Sequence, residues 1–327
     1  MYEDLCKPLN VEKNIRLYTG TGNPELAQRI ANVLHLELSG LMITKFANGE
    51  IYARFEETVR GCEVFFVQSI AGKNVNDLLM ETLIVADAAT RASAASFTAV
   101  IPHYGYARQD RKAASREPIT ARLVANLLEA AGVDRVITLD LHSNQIQGFF
   151  DIPVDNLLGN PVFVKYYLAK FSEAERENMV VVSPDVGSVA RARTFAQKVG
   201  MGLAIVDKRR QKANSCEVMN IIGDVEGKDC ILFDDMIDTA GSLCNACTAL
   251  REVGGAKKLY GCASHGVLSG PALDRIENSY FEEVRILDTI PMPAGYTGTK
   301  IKQLSVAEMF AEAITRIDEE VSISSLF

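Results

Sequence analysis

The chain has 327 residues, 48% hydrophobic and 23% charged, which is an ordinary globular composition at a length that suggests two domains of about 150 residues each. A formal net charge of −8 argues against general nucleic-acid binding, which needs a basic surface, so any anionic ligand has to be held by local basic clusters. No apolar run reaches the roughly 18 residues of a membrane span, the N-terminus lacks a signal-peptide stretch, and seven scattered cysteines, an odd number, suit a reducing compartment; a cytoplasmic protein without membrane contact is expected.

Taken in chain order, short aliphatic runs alternate with segments of helical period. A strand at 15–18 leads into a helix at 24–34, a strand at 64–67 into a helix at 75–89, a strand at 98–101 into a helix at 120–131, and a strand at 136–139 into a loop. The pattern resumes with strands at 180–182, 203–206, 231–233, 259–262 and 284–287, and an amphipathic helix lies within 305–321. Such alternation predicts an α/β fold of mostly parallel sheets flanked by helices.

The two halves read as copies of one unit. Residues 15–34 share the layout of 180–199, and 63–105 that of 230–266: a strand, a short loop, a helix, then an apolar strand ending in His103-Tyr104-Gly105 or Ser264-His265-Gly266. Acidic residues occupy the loop of the second copy only, where Asp234, Asp235 and Asp238 stand against Gln68 to Gly72 in the first. The expected division is 1–157 and 158–305, with 306–327 returning to pack on the first domain.

The richest segment runs from Ile231 through Asp234, Asp235, Asp238, Thr239, Ala240 and Gly241 to Ser242. An apolar strand ends in two carboxylates, and a small-residue turn opens a helix whose first amides lack intrahelical partners, a ready site for a phosphate. Gly241 permits close backbone approach. Carboxylates at the carboxyl end of a parallel strand sit where open α/β sheets bind ligands, and they suit ribose hydroxyls or a magnesium ion. Helix capping alone requires one such residue, not three aspartates.

No GxxxxGK[ST] phosphate loop occurs, and Gly20-Thr21-Gly22 lacks the third glycine of a dinucleotide fingerprint, so it is read as a structural turn. Two basic clusters remain, each after a strand: Arg108, Arg111, Lys112, Arg116 and Arg122, then Lys208, Arg209, Arg210 and Lys212. Arginine offers a planar fork for phosphate oxygens. His142 lies just past a strand end among acidic and amide groups, whereas His35 is read as structural. The Cys244-x-x-Cys247 pair has no second pair or nearby histidine and is assigned to helix packing.

The 234–242 loop resembles the ribose-phosphate loop of type I phosphoribosyltransferases and of the 5-phosphoribosyl 1-diphosphate synthases. Tyr-Ala-Arg-Gln-Asp at 106–110, Ser-Arg-Glu-Pro-Ile-Thr-Ala at 115–121, Gln-Ile-Gln-Gly-Phe-Phe-Asp-Ile-Pro at 145–153, Asp-Lys-Arg-Arg at 207–210, 220–227 and Leu-Ser-Gly-Pro-Ala at 268–272 extend the resemblance over nearly the whole chain, to class I ribose-phosphate diphosphokinase. It implies two tandem type I phosphoribosyltransferase-like domains that transfer the β,γ-diphosphoryl group of Mg-ATP to the 1-hydroxyl of ribose 5-phosphate, giving 5-phosphoribosyl 1-diphosphate and AMP for nucleotide biosynthesis.

Residue by residue, the resemblance implies ATP binding by Arg108, Gln109 and Asp110, and by Phe46, Asn48, Gly49 and Glu50 of a neighbouring subunit. Magnesium is implied at His142 and Asp185, catalysis by Lys208 and Arg210, and ribose 5-phosphate binding by Arg210, Asp234, Asp235, Asp238, Thr239, Ala240, Gly241 and Ser242. Ser322 and Ser324 match part of an allosteric site, and self-association is implied, at least a dimer and by resemblance a hexamer. Three positions depart from the family pattern: Ser188 replaces a glycine in the Pro-Asp-x-Gly-Gly loop, Ser264 a threonine and Ser325 a tyrosine. A type I phosphoribosyltransferase, or a paralogue that only binds the phosphoribosyl ligand, are the competing expectations. The doubled architecture with Arg108, Gln109 and His142 counts against the first, and the retained Lys208, Arg210, His142 and Asp185 against the second.

Overall fold

A computed structural model describes the backbone of residues 14–209 and 218–324, and the side chains of 14–207 and 220–324. The first half runs β1 (Ile15–Thr19), α1 (Pro24–Leu34), β2 (Leu41–Lys45), β3 (Ile51–Phe55), β4 (Glu63–Val67), α2 (Val75–Arg91), β5 (Ser96–Ile101), α3 (Thr120–Ala130), β6 (Arg135–Leu139) and β7 (Val154–Leu157). Local signals account for α1: Asn23 caps it by accepting from the Leu26 amide at 3.3 Å, Pro24 presets the first turn, and Leu26, Ala27, Ile30 and Ala31 share the buried face. The left-handed His35 (φ 55°) ends it, a structural part for that histidine.

After α4 (Asn160–Lys170) and α5 (Glu173–Glu177), the second half repeats the plan. It comprises β8 (Met179–Ser183), α6 (Val189–Val199), β9 (Gly202–Arg209), β10 (Val218–Ile222), β11 (Asp229–Ile237), α7 (Gly241–Glu252), β12 (Leu259–Gly266), α8 (Ala272–Glu277), β13 (Phe281–Leu287) and β14 (Ile301–Leu304). A last helix, α9 (Ala307–Asp318), follows.

Strand order makes the duplication explicit. The first sheet is β1-β4-β5-β6-β7, all parallel, and β8-β11-β12-β13-β14 in the second sheet has the same order and sense. The β2–β3 hairpin corresponds to β9–β10, but it stands as a separate two-stranded sheet, whereas β9 joins β8. The α/β class with parallel sheets between helices is thus as the alternation predicts. The residues just before the expected boundary at 157 are built into the first sheet as β7.

Each half then contributes a helix to the other. α4, which follows the first sheet, packs on α6; α9, which follows the second, packs on α1. Phe163, Tyr167 and Phe195 therefore share one hydrophobic core with Leu26, Ile30, Phe310 and Ile314, while each sheet keeps a separate core on its other face. Among the described residues, no helix is long and apolar enough to cross a membrane. Cys247 is buried in α7, and burial pushes its thiol up to about 12 and that of Cys244 to about 11, consistent with packing rather than reactivity.

Phe310 is fully buried in the shared core. Phe310→Ala is expected to lower the stability measured by urea unfolding by roughly 3–5 kcal/mol; a loss below about 1 kcal/mol would mean that α9 is not integral to that core.

Candidate active site

β11 extends past its apolar run, pairing through Asp234 with Ala263 and through Met236 and Ile237 with His265 and Gly266 of β12. Asp234 and Asp235 are therefore set rigidly at the carboxyl end of a central strand. The turn after them brings Ala240 into the left-handed region (φ 58°), and α7 begins at Gly241 with no side-chain cap. Neither Asp238 nor Thr239 is thus used as a cap, and the first amides of α7 have no intrahelical acceptor. A Cβ on Gly241 would lie 3.2 Å from a guanidinium nitrogen of Arg275, which also donates to the Thr239 carbonyl at 2.9 Å. Asp234, Asp238, Ser242, Asp185, His142 and Arg108 line a cavity of about 190 Å³ here.

Two of those residues come from the first half. Arg108 donates to Asp238 Oδ2 at 2.6 Å, and His142 Nδ1 lies 2.7 Å from Asp235 Oδ2. Arg108 and Asp238 also line a second cavity of about 350 Å³, with Gln109, Tyr106, His103 and Ile70, so the two spaces share a wall. Asp110 is not in either lining, but its charge acts on His142.

Charge in the site is unevenly distributed. Burial, then the neighbouring Asp235 charge, pushes the Asp234 carboxyl up to about 7, against a hydrogen bond from Ser188. Burial acts the same way on Asp235, yet hydrogen bonding to His142 and the charges of Arg191 and His142 overcome it and hold that carboxyl well below the usual range. The hydrogen bond to Asp235 raises His142 against the opposing effect of burial.

The corresponding loop of the first half is filled by its own side chains. Gln68 directly follows β4, at the strand end where β11 carries Asp234 and Asp235. Its Oε1 accepts from the Gly22 amide at 2.7 Å, and its Nε2 donates to Glu81 at 2.7 Å. Glu81 also accepts the Thr21 hydroxyl at 2.7 Å and amide at 3.1 Å. A Cβ at Gly20 or Gly22 would come within 2.6 Å of Gln68 atoms, so this turn serves packing rather than phosphate binding.

Other expected residues lie apart. Phe46, Asn48, Gly49 and Glu50 form the β2–β3 turn, closed by Phe46 N–H to Glu50 O at 2.8 Å and by Gly49 at φ 92°; they line neither cavity. Asp185 accepts the Ser188 amide at 2.8 Å. Arg210, Ser325 and the Lys208 side chain lie outside the described residues. Beyond α9, Ser322 and Ser324 bond to each other at 3.1 Å, and Arg316 donates to the Ser322 carbonyl at 2.7 Å. Sequence reasoning missed Arg191, Arg275 and His265. Arg191 donates to the carbonyls of Leu141 at 2.5 Å and His142 at 3.0 Å, a contact across 49 or 50 positions that no local pattern signals.

Two family models match the chain: the N-terminal domain of ribose phosphate pyrophosphokinase over residues 15–132, and the phosphoribosyl synthetase-associated domain over 209–327. A ribose-phosphate pyrophosphokinase of Clostridium perfringens is 57% identical over 97% of this chain and 99% of its own length. The chain belongs to the ribose-phosphate pyrophosphokinase family. A Bacillus subtilis member is 50% identical over 97% of this chain and 98% of its own length. The crystal structure of phosphoribosylpyrophosphate synthetase from Mycobacterium smegmatis superposes with a TM-score of 0.88 at 43% identity, covering 94% of this chain and all of that one.

Within this family fold, the His142–Asp235 pair gives a signed pH dependence. The raised His142 favours the folded state fully below about 6.5, its unfolded value, and that contribution is lost as pH rises through the raised value. The depressed Asp235 contributes above about 4 and is lost as pH falls through its folded value. In NMR titration the His142 imidazole should titrate above 6.5 and fall back in Asp235→Asn; a wild-type midpoint below 6.5 would contradict the pairing.

Proposed function

We propose that the protein transfers the β,γ-diphosphoryl group of ATP to the 1-hydroxyl of ribose 5-phosphate, giving 5-phosphoribosyl 1-diphosphate and AMP. The observation that carries this is the Arg108–Asp238 contact at 2.6 Å, in the wall shared by two cavities. A residue of the half without a sugar loop meets the sugar loop of the other half, as a reaction between two bound substrates requires.

In this assignment the α7 amides and the turn Asp238, Thr239, Ala240, Gly241 and Ser242 hold the 5-phosphate, and Asp234 and Asp235 accept the ribose hydroxyls. Arg108, Gln109 and Asp110 bind ATP. Phe46, 56% exposed on its hairpin, with Asn48, Gly49 and Glu50, supplies the adenine side of a neighbouring subunit's site. Self-association is thus part of the proposal, at least as a dimer and by family as a hexamer. A cytoplasmic setting, the 1–157 and 158–305 domains with 306–327 joined to the first, and an allosteric part for Ser322 and Ser324 complete it.

Among the described residues, no group of three or more His, Cys, Asp or Glu is arranged to hold a metal. His142 and Asp185, which line one cavity, fit a magnesium ion that takes its other ligands from phosphate oxygens and water. Such an ion would neutralise phosphate charge. Chemically, the anomeric hydroxyl oxygen attacks the β-phosphorus and gives up its proton to solvent, the bond from that phosphorus to the oxygen bridging the α-phosphate breaks, and AMP leaves. Lys208 and Arg210 offset the charge that develops on the bridging oxygen and the transferred group, so the chain contributes positioning and electrostatics.

Phosphorus NMR of the protein with magnesium, ATP and ribose 5-phosphate should show AMP and a new diphosphate ester. Formation of ADP, or no turnover by folded protein, would refute the assignment.

A further inference from the structure

α6 opens at Ser188, a residue type whose side-chain oxygen ordinarily accepts an amide of the helix it starts. Asn23, at the equivalent position of the first half, does so for α1. Ser188 makes no side-chain cap bond. Its hydroxyl, on a residue only 8% exposed, instead donates to Asp234 Oδ1 at 2.8 Å. Its amide donates to Asp185 Oδ1 at 2.8 Å, so one residue ties the loop after β8 to the end of β11.

Asp234 Oδ1 also accepts the Asp235 amide at 2.9 Å. Two donors on one oxygen fix a carboxylate whose terminal torsion is otherwise broad. That side chain lines the cavity in front of the α7 turn. We propose that Ser188 is a positioning residue that orients the Asp234 carboxylate to receive ribose 5-phosphate. This rests on the assignment of Asp234 to the sugar. The helix gives up a serine cap, and the hydroxyl serves the neighbouring strand instead.

Removing the hydroxyl frees the carboxylate to rotate, so the effect falls on sugar binding and not on ATP. Ser188→Ala and Ser188→Gly should both raise the calorimetric Kd and the KM for ribose 5-phosphate about tenfold, equivalent to about 1.4 kcal/mol. The KM for ATP and kcat should change little, and Ser188→Thr, which keeps a hydroxyl, should restore sugar affinity. A capping role orders the variants differently: alanine is a poor cap and glycine is nearly as good as serine, so only Ser188→Ala would suffer. That ordering, an equal rise in the KM for ATP, or unchanged sugar affinity in both variants would overturn the proposal. The binding measurement separates it from the reaction: wild-type protein that binds ribose 5-phosphate but forms no AMP refutes the proposed activity and leaves the Ser188 effect measurable by Kd.

Discussion

The end of β6 is held in place by the other half of the molecule. Four successive backbone carbonyls, those of Leu139, Asp140, Leu141 and His142, accept hydrogen bonds from second-half side chains: His265 Nε2 reaches the first two at 3.1 and 3.2 Å, and Arg191 the last two. Ser264 donates to the Asp140 carboxylate, which also accepts the Gly159 amide at 3.0 Å. Buried carbonyls need partners, and meeting that need across the interface turns the chain sharply, with Asp140 in the left-handed region (φ 42°). The turn aims His142 at Asp235. Without it His142 would not reach the cavity in front of the α7 turn.

Behind this contact stands the exchange of helices. With α4 on the second half and α9 on the first, the facing sides of the two sheets share a single core, so the halves cannot shift without opening apolar surface. The proposed two-substrate site would need such rigidity, because in-line transfer depends on placement of the reacting atoms. In the first copy the loop after β4 is closed by Gln68 and Glu81, while the strands beside it keep the same order as in the second. His103, just past β5, and His265 of β12 meet edge to face with ring centroids 4.5 Å apart where the copies join.

Much of this was legible in the sequence because its signals are local. The helix expected at 24–34 from its helical period has those bounds as α1. The repeat was visible in matching strand–loop–helix layouts, and the strand orders bear it out. Strands β2 and β3 were missed, since only partial burial marks them and their apolar alternation is weak. β11 was read too short: Asp234 to Ile237 remain in the strand because β12 supplies partners as far as Gly266, which periodicity does not reveal. The cross-half contacts of Arg108 and Arg191 join residues 49 to 130 positions apart, Ser188 reaches Asp234 across 46 positions within the second half, and only the assembled fold brings these together. Ser188 in particular reads in the sequence only as a departure from a glycine, whereas its hydroxyl bonds directly to the Asp234 carboxylate.

The central claim is a division of labour, with ATP on the first half and the sugar on the second, joined at Arg108 and Asp238. Calorimetric titration of Arg108→Ala and Asp234→Ala with each substrate, magnesium present, tests it most directly. Arg108 is largely exposed, with 62% of its side chain accessible, so its loss should leave the fold intact. Arg108→Ala should weaken ATP by roughly tenfold or more while ribose 5-phosphate binds normally, and Asp234→Ala should do the reverse. Equal loss of both ligands in both variants, or undiminished ATP binding by Arg108→Ala, would contradict the account.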